Sequence, residues 1–226
     1  MRNYILSFLF TVLILSFLGC KAKSQYQPSE DITRKYELTI QPIIVRSDAG
    51  SEPASMVIPE KLVEKAYEKA SIDFYFLHPI FLDNTNARDG VYNLDSISNI
   101  ALQKGLIKYN DGKLYMFFVD AIDGRKGPMG MGMQNGNIIF IALGDKLPPG
   151  FNEDIKNMQA FVIAHEVGHN LGLVHAVDDP NVPNDIPNIQ GDGAFKDRID
   201  PKYSLNDYQI KIILKSPLIH IKTATK

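Results

Sequence analysis

Cysteine is almost missing from this chain of 226 residues: Cys20 stands alone. A single thiol forms no internal disulfide, so a disulfide-stapled fold is excluded and the core must hold by packing. Charge of one sign is also lacking, with 24 Lys and Arg against 26 Asp and Glu and a net charge of −2. No basic block occurs, and no interleaving of aromatic with basic residues, so no electrostatic footprint for nucleic acid is present. Glycines are not scarce, but residues 127–133, Gly-Pro-Met-Gly-Met-Gly-Met, fit no phosphate-binding loop. Their spacing is not G-x-G-x-x-G, and no Lys-Ser/Thr follows. An apolar share of 45% over this length is consistent with one globular domain that buries a proper core.

Long hydrophobic runs are absent except at the start. After Met1-Arg2-Asn3, residues 4–18 are almost unbroken apolar sequence without charge. About 15 residues is short for a bilayer span, which takes about 20, and the build is that of a secretory signal. The run ends Phe17-Leu18-Gly19-Cys20, which resembles the lipobox of bacterial lipoproteins, with Phe17 where an aliphatic residue is usual. The resemblance implies a signal peptide over residues 1–19, a lipidated Cys20 and a polar tether over residues 20–35. Export to the bacterial cell envelope and anchoring to a membrane through lipid follow from it. An ordinary cleaved signal with an incidental cysteine is the alternative.

From Tyr36 the pattern becomes that of a folded domain, residues 36–226. Tyr36, Leu38 and Ile40 alternate with polar residues, and Ile43-Ile44-Val45 follow Pro42, giving a strand with an edge or bulge at the proline. Pro59 opens a helix whose apolar positions include Leu62, Val63, Ala66, Tyr67 and Ala70. Residues 72–82 read as a second strand despite Pro79. Asp95 or Ser96 caps a short helix closed by Gly105. Residues 113–122 are apolar on both faces and read as a central strand. Residues 124–136 read as an irregular loop, and its methionines as a candidate lining for a peptide groove. Residues 137–143 form a further strand. Asn152 is the expected cap of an amphipathic helix, with Ile155, Met158, Phe161, Val162 and His165 facing inward. Loop residues rich in Asp and Asn follow position 178 and could hold calcium or simply be solvated. A pair at Ser204 and Asp207 resembles a capping box for a C-terminal helix through Ile213.

The chemistry concentrates in residues 164–175, Ala-His-Glu-Val-Gly-His-Asn-Leu-Gly-Leu-Val-His. On a helix, residues four apart lie about 40° round and about 6 Å along the axis, so His165 and His169 face one point. Catalytic zinc takes three protein ligands and leaves one position open, and His165, His169 and His175 would supply them. Gly172, free to take positive φ, ends the helix and returns His175 toward the same metal. Glu166 can then reach water at the open position as a general base. All five motif positions would coincide by chance only on the order of once in 10⁵ such sequences.

This H-E-x-x-H-x-x-G-x-x-H pattern is similar to that of the metzincin zinc metallopeptidases. The resemblance implies an α/β (α+β) zincin domain, a twisted mixed sheet over an active-site helix with a C-terminal helix, and one catalytic zinc. It implies hydrolysis of peptide bonds in peptide or protein substrates, with the strand at residues 137–143 as the edge that aligns an extended substrate. The loop from Ile189 to Tyr203 would shape the pocket beyond the scissile bond. Metzincins carry a methionine in a turn below the zinc; here the last methionine is Met158, and Gln190 stands where it is expected. Ala176, after the third histidine, matches no particular subfamily. A zinc-holding envelope lipoprotein that binds peptide or protein without cleaving it is the alternative function, and a monomer is favoured.

Overall fold

The computed structural model describes residues 34–127, 129–144, 154–183, 186–191 and 195–222. Its strands are β1 (Tyr36–Arg46), β2 (Ile72–Phe76), β3 (Ile80–Asp83), β4 (Leu114–Phe118), β5 (Met129–Gly132), β6 (Ile138–Ala142) and β7 (Ile219–Ile221). Its α-helices are α1 (Glu60–Ala66), α2 (Thr85–Arg88), α3 (Leu94–Gln103), α4 (Ile155–Asn170), α5 (Phe195–Arg198) and α6 (Asp207–Ile213). The signal segment, Cys20, most of the tether and Asn152 lie outside the described residues, as do Asp185 and Asp192 of the acidic loop. Among the described residues no helix is long and apolar enough to cross a membrane.

The strands form one mixed sheet in the order β2-β1-β4-β6-β5, with β3 and β7 also paired to β1. β1 is its spine. The registers put β2 and then β3 along one side of β1, and β7 and then β4 along the other. Pro42 therefore sits inside a central strand rather than at an edge or bulge. The neighbouring chain breaks there instead: residues 72–82 divide into β2 and β3, with Leu77, His78 and Pro79 between them. Gln41 Nε2 donates to the His78 carbonyl at 2.8 Å across the gap, so a side chain replaces the ladder bond that proline cannot make.

Both faces of the sheet are covered, as strands apolar on both faces require. Leu114, Met116 and Phe118 of β4, with Ile139 and Ile141 of β6, face α1, α4 and α6. The intervening Tyr115, Phe117, Ile138 and Phe140 face α2 and α3, where Phe117 and Phe140 stack 4.8 Å apart. The central position expected of residues 113–122 is thus observed, with all five residues of β4 buried.

Residues 137–143 are not the sheet edge. β6 pairs with β4 on one side and antiparallel with β5 on the other, so the edge is β5, inside the segment that reads as loop. Two helix caps also lie beside the expected ones. α3 is capped by Asn93, whose side chain accepts from the Ser96 N–H, and Gly105 follows its end at φ +70°. α6 is capped by Asn206 with Gln209 in a reciprocal box. Ser204 is buried and donates instead to the Ala66 carbonyl at 2.7 Å.

Tyr67, fully buried after α1, donates its hydroxyl to the Ala164 carbonyl of α4 at 2.7 Å. Tyr67→Phe keeps the ring and loses this bond, while the carbonyl keeps its place in the helix ladder. The variant should unfold about 1 kcal/mol more easily in urea, with an unchanged m-value.

Candidate metal centre

α4 is capped by Asp154, whose carboxylate accepts from the Lys156 N–H, and runs sixteen residues through the core. It is buried on nearly every side rather than amphipathic: Phe161, Val162, Ile163, Ala164, Glu166, Val167 and Gly168 are all buried. His165 and His169 are only half-buried. The two histidines therefore lie on the helix's more open side, where His165 lines a cavity, and not on its most buried one. At the end of the helix Gly172 takes φ +103°, a value open to glycine, and the Leu173 N–H reaches back to the Gly168 carbonyl at 2.9 Å. The chain turns, and His175 comes back beside its partners. The three rings have centroids 4.7, 5.2 and 4.7 Å apart. One ligand atom from each lies within 4.8 Å of the others.

The hydrogen bonds decide which nitrogens face inward. His165 Nδ1 lies 2.6 Å from the Ile189 carbonyl, and His169 Nδ1 lies 2.9 Å from the Leu173 carbonyl. A carbonyl only accepts, so both Nδ1 atoms carry the proton and both Nε2 atoms present lone pairs. Those Nε2 atoms are 3.1 Å apart. Burial lowers the pKa of the His165 ring to about 4 and also lowers that of His169, so both rings are disfavoured as imidazolium. Two lone pairs directed at each other suit a shared cation. Tetrahedral zinc with ligand bonds of about 2.0–2.1 Å separates two ring nitrogens by roughly 3.3 Å, so the spacing fits. His175 is exposed, and its Nδ1 lies 3.9 Å from an Asp178 carboxylate oxygen. The three histidines picked out by spacing are thus brought together and could hold zinc.

Glu166 points from α4 toward the edge strand. A Cβ added to Gly130 would lie 2.3 Å from its Cγ, and one on Gly132 would lie 3.2 Å from its Oε2. Gly130 and Gly132 share a face of β5 because strand side chains alternate. Their missing side chains let the edge strand lie against the helix over this carboxylate. Burial raises the Glu166 pKa to about 7, against a lowering by the Gly132 backbone N–H. The G-x-G pattern was the available sequence signal for this contact, hidden because it reads first as flexible loop. The β5–β6 turn also braces the helix end. Asn170 donates to the Gly136 and Ile138 carbonyls at 2.8 and 3.1 Å, and the Asn135 N–H donates to the His169 carbonyl.

Beside the histidines lies a cavity of about 550 Å³ lined by Phe161, His165, His175, Val177, Gln190, Gly191 and Arg198. The expected loop contributes Gln190, Gly191 and Arg198. Arg198 was not singled out from the sequence. It is buried, and its guanidinium lies 4.6 Å from the centre of the Phe161 ring.

No family model matches the chain, and no curated protein matches it. Among solved structures it is similar to an archaemetzincin from Methanopyrus kandleri, over 80% of this chain and 95% of that one, at 14% identity and TM-score 0.45. It is similar to metalloproteinase-II from Bacteroides fragilis over 84% of this chain and 55% of that one, at 16% identity and TM-score 0.45. A zinc-dependent peptidase from Methanocorpusculum labreanum matches over 78% of this chain and 100% of its own, at 14% identity and TM-score 0.44. These are likenesses of outline, and the chemistry of the centre follows from its own side chains.

Purified chain loaded with zinc and dialysed should carry one ion per molecule by elemental analysis. His165→Ala or His169→Ala should reduce that to well below one, with helix content by circular dichroism retained.

Proposed function

We propose that the chain is a zinc-dependent metalloendopeptidase that hydrolyses peptide bonds of peptide or protein substrates. The observation that carries this reading is the pair of unprotonated Nε2 atoms 3.1 Å apart, with His175 alongside. His165, His169 and His175 would hold the zinc, which when bound would supply Lewis acidity toward a carbonyl and lower the pKa of water to about 7. Glu166 then has the proton work. A carboxyl whose burial sets its pKa near neutrality is matched to taking a proton from attacking water and returning it to the departing amine. Among the described residues β5 ends the sheet, which supports placing an extended substrate there by backbone pairing, in place of the segment 137–143. The cavity next to the histidines would take the substrate side chain beyond the scissile bond.

The lipobox-like Leu18-Gly19-Cys20 supports an envelope lipoprotein, with the catalytic domain carried on a polar tether.

Glu166→Ala should keep one zinc per chain and cleave a peptide library about 10²–10⁴-fold more slowly. Cleavage by the native protein should stop with a chelator and return with zinc. Wild-type rates in Glu166→Ala would remove the base from this mechanism, and a library left intact by zinc-loaded native protein would favour binding without cleavage. In cells, mass spectrometry of the mature N-terminus should find acylated Cys20, and Cys20→Ala should abolish the acyl mass.

A further inference from the structure

We infer that Gln190 is a positioning residue for the metal centre, tying the backbone of His165 to the turn that holds its ring. The inference rests on reading the three histidines as zinc ligands. The turn 188–190 makes three bonds toward the ligands. The Ile189 carbonyl accepts from the His165 ring at 2.6 Å, and Gln190 Nε2 donates to the His165 carbonyl at 2.7 Å. The Gln190 carbonyl accepts from the Ala176 N–H at 2.8 Å, one residue past His175. His165 is therefore gripped at its ring and at its backbone by adjacent residues, and the segment bearing His175 hangs from the same turn.

The orientation of the amide is fixed by its partner. A backbone carbonyl cannot donate, so the nitrogen and not the oxygen of Gln190 must face it. An apolar side chain of similar length could fill the same space but could not make this bond. α4 also makes room for it: a Cβ on Gly168 would lie 2.3 Å from Gln190 Nε2. A glycine inside a helix is less stabilising than alanine, so the site forgoes helix stability where the amide crosses.

The turn itself is anchored by a second pair of amides. Asn188 Oδ1 accepts from the Gln190 N–H at 2.9 Å and from Gln209 Nε2 at 3.0 Å. Asn188 Nδ2 donates back to Gln209 Oε1 at 2.7 Å. Asn188, Gln190 and Gln209 are 4%, 2% and 1% exposed, so these bonds are shielded from competing water. Gln209 belongs to the capping box of α6. A buried relay of amides thus runs from the C-terminal helix to the first ligand, in the manner of the outer-shell partners that orient metal-binding histidines.

The experiment uses the full chain and two readouts that do not involve catalysis: zinc affinity by competition with a chromophoric chelator, and the visible spectrum of the cobalt(II)-loaded protein. Gln190→Met keeps the volume and removes the donor. It should bind zinc about 10- to 100-fold more weakly, with shifted cobalt bands and unchanged apo helix content. Zinc affinity within twofold of wild type and a superimposable cobalt spectrum would overturn the proposal while leaving the metal reading intact. Wild-type protein that binds neither metal would overturn the metal reading and this proposal with it. If Gln190→Met does not fold, Gly168→Ala reaches the same amide from the helix side. It should weaken zinc binding in the wild-type background and much less in a Gln190→Ala background; equal effects in both overturn the proposal.

Discussion

The bond from the His165 ring to the Ile189 carbonyl is the constraint on which the rest of the centre depends. It selects the tautomer, and with the tautomer it selects which nitrogen faces inward. His169 is fixed the same way by Leu173, so both lone pairs point into one small volume. Neither acceptor is a side chain that could rotate away. Each is a backbone carbonyl in the turn structure that follows α4 or packs beneath it. That arrangement works only if α4 does not move, and its burial against α1, α5 and the sheet provides the immobility. A helix that carries ligands gains more from being surrounded than from being amphipathic.

The sheet serves the same end through its edge. β4 and β6 are apolar on both faces and, with β1, set the plane. β5 then runs antiparallel to β6, and its glycines face α4 while its methionines face away. Without those glycines the strand would stand off from the helix by roughly the width of a side chain. Glu166 would then meet water rather than backbone, and burial could not raise its pKa toward neutrality. The chemistry expected of this carboxyl is therefore a consequence of strand register as much as of the motif. A slip of one residue in β5 would turn Met129 and Met131 against Glu166.

Much of this was legible in sequence, for identifiable reasons. The ligand spacing is local, so helix periodicity alone brings His165 and His169 together, and one positive-φ glycine brings back His175. The central strand announced itself by being apolar at every position. What was not legible depended on partners distant in the chain. Pro42 looked like an edge because proline cannot join a ladder, but a gap between β2 and β3 and the Gln41 side chain accommodate it. The β5 edge looked like loop because Met-Gly-Met-Gly has low strand propensity, and its contact with α4 overrides that preference. Ser204 looked like a cap because its hydroxyl suits one; a tertiary acceptor, the Ala66 carbonyl, claimed it instead. Arg198 carried no local signal, since only the path of α5 brings it to the cavity.

The division between what is rigid and what is adjustable follows from these contacts. Two candidate ligands and the candidate base sit on a core helix, and the amide relay from Gln209 through Asn188 ties the floor of the site to a second helix. The cavity wall is built otherwise, from Val177 in a short 3₁₀ turn, Gly191 at the end of a turn, and Arg198 on a four-residue helix. Few of these positions are fixed by sheet or helix ladders, so substitutions there can reshape the pocket without disturbing the histidines on α4.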